Sequence, residues 1–409
     1  MATVPAGLWY DHGIEVVVRI LHVNDHLTPK GGVETYLLSL IPCLEQDGFE
    51  QAVAYGQGDA GLVRSPFEIP ELSRPGWGER DGVTRKLGAA IDAFRPDVIH
   101  LHNIHNADAI EYLLDLKPVV MTAHDFRYLC PASNFYYRKT ESVCGRSCGV
   151  GCFGVTLASK CMTLRPRFSW KYYQRVVRVR RRFGDFRQLI APGHDAADRF
   201  IRDGFPRNSV TVLPYFCRIK PLENPRPVPE QPLILYLGRL SGNKGWEYFV
   251  QALGMLPGHV NGMIIGNVDG AAERRLVQSA EMHGCRNRLS WRNWATQEEI
   301  SRQLRATSVM VFPSLWPETL GIVGLEAMAH GVPIVASDIG GVPEWLRDGH
   351  NGYRVPPRNA HAIADRIGRI VQDPIAAAAL GVNGLDYLNQ RFLPEQHLSV
   401  LKNIYTAAA

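Results

Sequence analysis

The chain has 409 residues, 45% of them hydrophobic and 21% charged, with a formal net charge of +5. This is the make-up of a folded protein long enough for two ordinary domains. The small charge excess gives no global basis for nucleic acid binding, and no apolar run reaches the roughly 18 residues of a membrane span.

Met1–Gly13 lacks the cationic start and apolar core of a secretory signal. The eight cysteines are mostly clustered, unlike a secreted disulfide scaffold. The expected location is therefore the cytoplasm. Apolar strands alternate with helical patterns, which predicts doubly wound α/β domains. In the first half, strands are predicted at Glu15–Val23, Gln51–Tyr55, Asp97–Leu101, Pro118–Thr122, Gln188–Ala191 and Val210–Leu213. Helices are predicted over Val33–Gln46, Arg80–Phe94, Ala107–Leu114 and His194–Asp203. Gly31 and Gly32 precede the first helix, where paired glycines let main chain approach a ligand closely. His102 and Asn103 end one strand, and His124 and Asp125 end the next, which makes them candidate cleft residues.

Cys130, Cys144, Cys148, Cys152 and Cys161 fall in one loop, residues 130–161. Thiolates suit zinc, but the Cys-x3-Cys-x3-Cys spacing is looser than a zinc knuckle and leaves five candidates for four places. Structural zinc, unligated thiols, a disulfide and an iron–sulfur cluster all remain open. Arg165–Arg187 is basic and interleaved with Phe168, Trp170, Tyr172, Tyr173, Phe183 and Phe186. It reads as a solvated helix with a buried aromatic side, or as a helix lying on anionic lipid through charges such as Arg178, Arg180, Arg181 and Arg182.

The proline-rich stretch Lys220–Pro232 is the clearest linker. Strands are then predicted at Leu233–Leu237, Gly262–Ile265, Leu289–Trp291, Val309–Phe312 and Pro333–Ala336, with helices over Trp246–Leu256 and Glu395–Ala408. The first of these strands runs into Gly238, Arg239 and, five residues on, Lys244-Gly245. Arginine offers a planar fork and lysine a mobile point charge, a suitable pair for a charged leaving group. The strand Val309–Phe312 leads into a loop with Glu318, and Glu326 follows eight residues later on an apolar helix. Gly321 lets the N–H groups of Ile322 and Val323 face a ligand, and helix N-termini in this setting bind phosphate. A second carboxylate can accept hydrogen bonds from a ribose diol. Together these features suggest a nucleotide diphosphate site at the carboxyl end of a strand, where open α/β sheets bind ligands.

The segment holding Glu318, Gly321, Glu326, Ala327, Met328, Ala329, Gly331, Pro333, Ala336, Ser337, Gly340, Gly341 and Glu344 resembles the Glu-x7-Glu signature of the retaining nucleotide-sugar glycosyltransferases of family four. The stretch from Gly238 to Gly245 is similar to that family's G-R-L-x-x-x-K-G element, Gly31–Glu34 to its G-G-x-E, and Thr122–Asp125 to its T-x-H-D. The resemblance covers nearly the whole chain. It implies the GT-B architecture, two Rossmann-like doubly wound domains facing a central cleft. The expected limits are residues 1–217 on the acceptor side and 218–394 for the donor, with a helix at 395–409 crossing back onto the first domain.

By resemblance, Arg239 and Lys244 meet the donor diphosphate, Glu318 the donor sugar, Glu326 the ribose, and Gly31 and Gly32 the diphosphate from across the cleft. His124 lines the reacting carbon. From their strand-end position alone, His102 and Asn103 are expected on the acceptor side. The implied reaction moves a sugar from a nucleoside diphosphate to a hydroxyl of a glycan or lipid-linked acceptor, with retention, in cell-surface polysaccharide synthesis. No cofactor is required for catalysis, and no protein nucleophile is identified. Attachment at the inner face of the membrane would be peripheral. The rival readings are a GT-B phosphorylase, an epimerase, which the Glu-x7-Glu element disfavours, and a catalytically silent sugar-nucleotide-binding protein.

Overall fold

The computed structural model describes residues 17–29, 31–76, 80–223 and 226–409. The reading of Met1–Gly13, the start of the strand predicted at Glu15 and part of the Lys220–Pro232 linker lie outside the described residues.

Two parallel sheets carry the fold. The first has seven strands in the order Pro66–Glu68, Glu50–Gly58, Arg19–Leu27, Val98–Leu101, Val119–Thr122, Gln188–Ala191 and Val210–Val212. The second has six, in the order Leu289–Arg292, Asn261–Ile265, Leu233–Leu237, Val309–Phe312, Ile334–Ser337 and Gly352–Val355. Their central strands read as short apolar runs because helices cover both faces. Val98–Leu101, Val119–Thr122, Val309–Phe312 and Ile334–Ser337 are buried along their whole length.

In each sheet the strand order reverses once. The reversal falls between Arg19–Leu27 and Val98–Leu101 in the first, and between Leu233–Leu237 and Val309–Phe312 in the second. The crevice beyond the carboxyl ends at such a point is where doubly wound sheets hold ligands.

One buried apolar cluster joins the sheets, from Ile20 and Val120 through Tyr215 and Tyr405 to Leu325 and Ile334. The helix Pro394–Ala408 contributes to it. Tyr405 meets His100 Nδ1 at 2.6 Å, and Tyr36 meets His397 Nε2 at 2.8 Å, so the chain's last helix packs on the first sheet. Among the described residues no helix is long and apolar enough to cross a membrane.

Several elements were not predicted. The strand Pro66–Glu68 is a three-residue edge, too short to show a period. The helix Gln297–Arg305 is largely polar, yet it is announced by a capping box in which Thr296 and Glu299 satisfy each other's backbone N–H.

The basic segment forms the helix Pro166–Arg181, and much of its charge is paired within the protein. Arg178 bonds Asp108 at 2.7 Å and Glu111 at 2.9 Å. Arg182 bonds Asp115 at 2.7 Å and also pairs with Asp185. Arg180 donates to the carbonyl of Cys148 at 3.1 Å, and the buried Arg175 donates to that of Arg127 at 3.0 Å. Most of this charge therefore holds the helix to its own domain. Lipid headgroups would have to compete with acidic partners already in place.

Candidate functional site

The site forms where the second sheet reverses. The strand Leu233–Leu237 ends at Gly238 and Arg239, and a short turn carries Lys244. The neighbouring strand Val309–Phe312 ends at Pro313 and leads through Ser314 and Trp316 to Glu318. The loops are stitched together by Leu315 N–H to the carbonyl of Asn243 at 2.9 Å. Gly245 has φ +66°, and a Cβ there would stand 1.9 Å from the carbonyl of Pro313, so this close approach requires glycine.

Glu318 is buried, and Lys244 Nζ, Ser314 Oγ and Trp316 Nε1 each donate to its Oε1 at 2.6 Å. Among the described residues no donor meets Oε2. Lys244 also lies over the Trp316 ring at 5.1 Å. Arg239 is exposed, and among the described residues its guanidinium makes no hydrogen bond or ion pair. Gly321, at φ +99°, caps the helix Ile322–Ala329 and leaves the first N–H groups of Ile322 and Val323 at the same mouth.

Glu326 lies on that helix and is buried. Arg218 donates to its Oε1 at 2.7 Å. Burial raises the Glu326 carboxyl above its ordinary value, and Arg218 opposes the shift. Arg218 was missed in the sequence. It follows a strand of the first sheet by a few residues and carries no motif, and only folding brings it to Glu326.

Across the cleft, Gly31 has φ +105° and begins the helix Gly32–Gln46, with Glu34 folded back beneath it. Burial raises the Glu34 carboxyl. Beside it, buried Asp25 pairs with Arg127 at 2.8 Å, and Arg127 also pairs with Asp125 at 2.8 Å. Burial works against the Asp25 charge, but Arg127 and His26 hold its carboxyl below the usual range. Neither Asp25 nor Arg127 was singled out in the sequence. Asn103 is buried at the same strand end, and its carbonyl accepts from Asp25 N–H at 2.6 Å.

His102 and His124 belong to a buried hydrogen-bonded chain. Gln51 donates through Nε2 to the carbonyl of Ile41, so its Oε1 accepts from His22 Nε2 at 3.0 Å. That sets the direction of the rest. His102 Nε2 donates to His22 Nδ1 at 3.1 Å, His124 Nε2 to His102 Nδ1 at 2.9 Å, and Tyr215 Oη to His124 Nδ1 at 2.7 Å. Burial pushes His124 down to about 3 and His22 to about 4, so the rings are neutral near pH 7.

Two expectations change. Both His102 ring nitrogens are engaged inside the first sheet, leaving none for an acceptor. The His124 ring is likewise used up. Its backbone carbonyl, not its imidazole, meets the second sheet by accepting from Thr319 Oγ1 at 3.1 Å. A second bridge runs from His194 N–H, at the start of the helix His194–Arg202, to Glu344 Oε1 at 2.7 Å.

Cys130, Cys144, Cys148, Cys152 and Cys161 carry free thiols and line one cavity around the antiparallel pair Tyr136–Tyr137 and Ser142–Val143. Gly31, Arg239, Lys244, Glu318 and Glu326 do not share that lining.

The fold and the crevice define a GT-B protein, two parallel α/β sheets joined over a cleft. The family model described as "Glycosyltransferase Family 4" matches residues 30–217, and that described as "Glycosyl transferases group 1" matches residues 222–386. The chain belongs to this group 1, family four of glycosyltransferases.

It is 34% identical over 147 residues to an alpha-D-kanosaminyltransferase of Streptomyces kanamyceticus, spanning 36% of this chain and 38% of the relative. It is 30% identical over 190 residues to a D-inositol 3-phosphate glycosyltransferase of Streptomyces bingchenggensis, spanning 44% and 41%. The matched region thus covers well under two thirds of either relative. Among solved structures, HepE of Anabaena in complex with UDP has a TM-score of 0.70 at 18% identity, over 95% of this chain and 100% of that one. Sucrose-phosphate synthase of Thermosynechococcus elongatus has a TM-score of 0.73 at 19% identity, over 95% and 98%. These two likenesses concern the fold.

Proposed function

We propose that the chain transfers a sugar from a nucleoside diphosphate donor to a hydroxyl of a glycan or lipid-linked acceptor, with retention at the anomeric carbon. The observation that carries this reading is the Lys244–Glu318 pair at the point of strand reversal, with unpaired Arg239 and the Gly321 helix start at the same mouth. Arg239, Lys244 and the N–H groups of Ile322 and Val323 stabilise charge as it grows on the departing diphosphate. Glu318 Oε2 accepts from donor sugar hydroxyls, and Glu326 from the ribose. Gly31 and Gly32 close on the diphosphate from the first domain. The acceptor oxygen bonds to the anomeric carbon on the face the diphosphate leaves, and a diphosphate oxygen takes the acceptor's proton. His102 and His124 act in this scheme by shaping the wall, and Asn103 offers its amide to the acceptor.

We take residues 1–217 as the acceptor-side domain, 218–394 as the donor domain and 395–409 as the returning helix. HepE is described in complex with UDP-glucose, so a UDP-sugar is the first donor to test.

A role in cell-surface polysaccharide synthesis fits peripheral attachment to an anionic membrane. The surface that supports attachment lies on the cysteine loop and the start of the helix Pro166–Arg181, before its paired arginines. Val150, Leu157, Leu164, Phe168 and Trp170 are exposed there, Val150 at 77% and Leu157 at 74%. Exposed Lys160, Arg165 and Arg167 stand among them in the chain. Exposed apolar side chains with cations close in the chain suit a headgroup boundary.

The test is a thermal-shift panel of nucleotide sugars followed by a donor-turnover assay with the ligand that stabilises most. Stabilisation with turnover supports transfer. Stabilisation with neither hydrolysis nor transfer would make the chain a silent binder.

A further inference from the structure

One part of the loop 130–161 leaves the first half of the chain. The strands Tyr136–Tyr137 and Ser142–Val143 form a hairpin whose base is fixed at home. Cys144 donates its N–H to the Phe135 carbonyl at 2.6 Å, and Lys139 donates its own to the Ser159 carbonyl at 3.2 Å. Phe135 and Tyr136 are buried.

The tip makes two hydrogen bonds to the second half. Glu141 Oε2 accepts from Tyr248 Oη at 2.6 Å, and the Thr140 carbonyl accepts from Arg358 Nη1 at 3.0 Å. Tyr248 lies on the helix Trp246–Met255, and Arg358 follows the edge strand Gly352–Val355. The tip thus grips two separate elements packed around the second sheet. Glu141 at φ +50° and Arg358 at φ +62° both hold left-handed backbone, which is uncommon outside glycine. Such conformations persist where surrounding contacts over-determine them, and here both belong to residues of the crossing.

The crossing leads to the donor site in short steps. Tyr248 donates its N–H to the Gly245 carbonyl at 3.0 Å. Gly245 adjoins Lys244, and Lys244 bonds Glu318 at 2.6 Å. A second link is apolar. Phe135 and Tyr136 share one buried cluster with Leu315 and Trp316, and Tyr248 packs against it. Trp316 is itself a donor to Glu318 Oε1. Two of the three groups that hold Glu318 are therefore linked to the hairpin.

We propose, on the reading of Lys244 and Glu318 as donor-site residues, that the hairpin at 136–143 is a strap that holds the cleft closed, with Glu141 and Tyr248 as positioning residues for Lys244. A nucleotide gripped by Gly31 from one half and by the Lys244 turn from the other binds the closed form best. Loss of the strap lets the halves part, and apparent affinity falls with the population of the closed form. Two hydrogen bonds at the tip are few enough to break for donor entry and product release.

The first test uses no ligand. Small-angle scattering of the full chain should give a larger radius of gyration for the Tyr248→Phe, Arg358→Ala double variant than for wild type, with an unchanged circular dichroism spectrum. The second is calorimetric titration with UDP. Tyr248→Phe should bind UDP about three- to tenfold more weakly than wild type, the equivalent of one net hydrogen bond. Glu141→Gln keeps an oxygen that can accept from Tyr248 and should bind nearly as wild type does, whereas Glu141→Ala should match Tyr248→Phe. A contact that serves only the fold would move the melting temperature and leave UDP affinity alone. Should the double variant fail to fold, Tyr248→Phe, which removes a single hydroxyl, carries both measurements. Equal radii of gyration, or equal UDP affinity in wild type and Tyr248→Phe, would overturn the strap. If wild type itself does not bind UDP, the choice of donor fails and scattering alone decides the strap.

Discussion

Lys244 and Glu318 meet at 2.6 Å across the gap between two adjacent parallel strands, so one ion pair joins the loops on either side of the strand reversal. Glu318 lends a single oxygen to Lys244, Ser314 and Trp316 together. Lys244→Ala should lower stability by about 1–3 kcal/mol, because it removes one donor from a buried carboxylate that keeps two. It should also lower turnover. Arg239→Ala should leave the melting temperature unchanged and lower turnover alone. Steady-state rates beside melting curves test the pair, and full turnover in Arg239→Ala would remove that residue from the diphosphate site.

Glu326→Ala should weaken nucleoside diphosphate binding by about 1.5–3 kcal/mol, the range for a lost charge-assisted hydrogen bond. It also releases Arg218, whose guanidinium then faces the crevice without its partner. Calorimetric titration with a nucleoside diphosphate measures the loss, and unchanged affinity would reject the ribose assignment.

Gly340 has φ +54°, and a Cβ there would stand 2.4 Å from the carbonyl oxygen of Glu318. The next glycine donates its N–H to the same carbonyl at 2.7 Å. Gly340→Ala should therefore displace the Glu318 loop, raising KM for the donor and lowering kcat, with no charge altered. A variant with wild-type kinetics would show that the loop does not need this packing.

Vesicle binding separates the two basic surfaces. Leu157→Asp with Leu164→Asp should abolish flotation with anionic vesicles and leave donor affinity unchanged. Replacing Arg178 and Arg182 with Gln should instead lower the melting temperature, since each bonds acidic partners on neighbouring elements. The reverse pattern would return the membrane surface to the arginine helix.

Acid should destabilise the chain through its buried histidines. Burial lowers His22 and His397 to about 4 and His105 and His124 to about 3, whereas unfolded histidine titrates near 6.5. Between those values the unfolded chain binds more protons, so stability rises with pH. The contribution is complete above about 6.5 and is lost progressively down to about 3–4. Melting temperature should drop from pH 7 to pH 5. A flat or opposite profile would mean that these rings are charged in the folded state.

Local sequence was enough to put Glu318 in a strand-to-helix loop, Glu326 on the following helix and Lys244 in a turn after a strand. Apolar runs, glycines and prolines act over a few residues, and the chain records them in order. The spacing of Gly31 and Gly32 before a helix was legible for the same reason. What lay beyond reach was the set of partners. Arg218 finds Glu326 from 108 positions away, and Arg178 finds Glu111 from 67. His102 and His124 looked like cleft residues because both end strands. Sheet order instead puts His22 on the strand beside that of His102, and Tyr215 against His124, so their ring nitrogens turn inward. Burial and pairing depend on which strands become neighbours and which helices cover them. A one-dimensional pattern holds the propensity for each element, and only the packed structure determines whether a charge or an imidazole meets water, a ligand or another side chain.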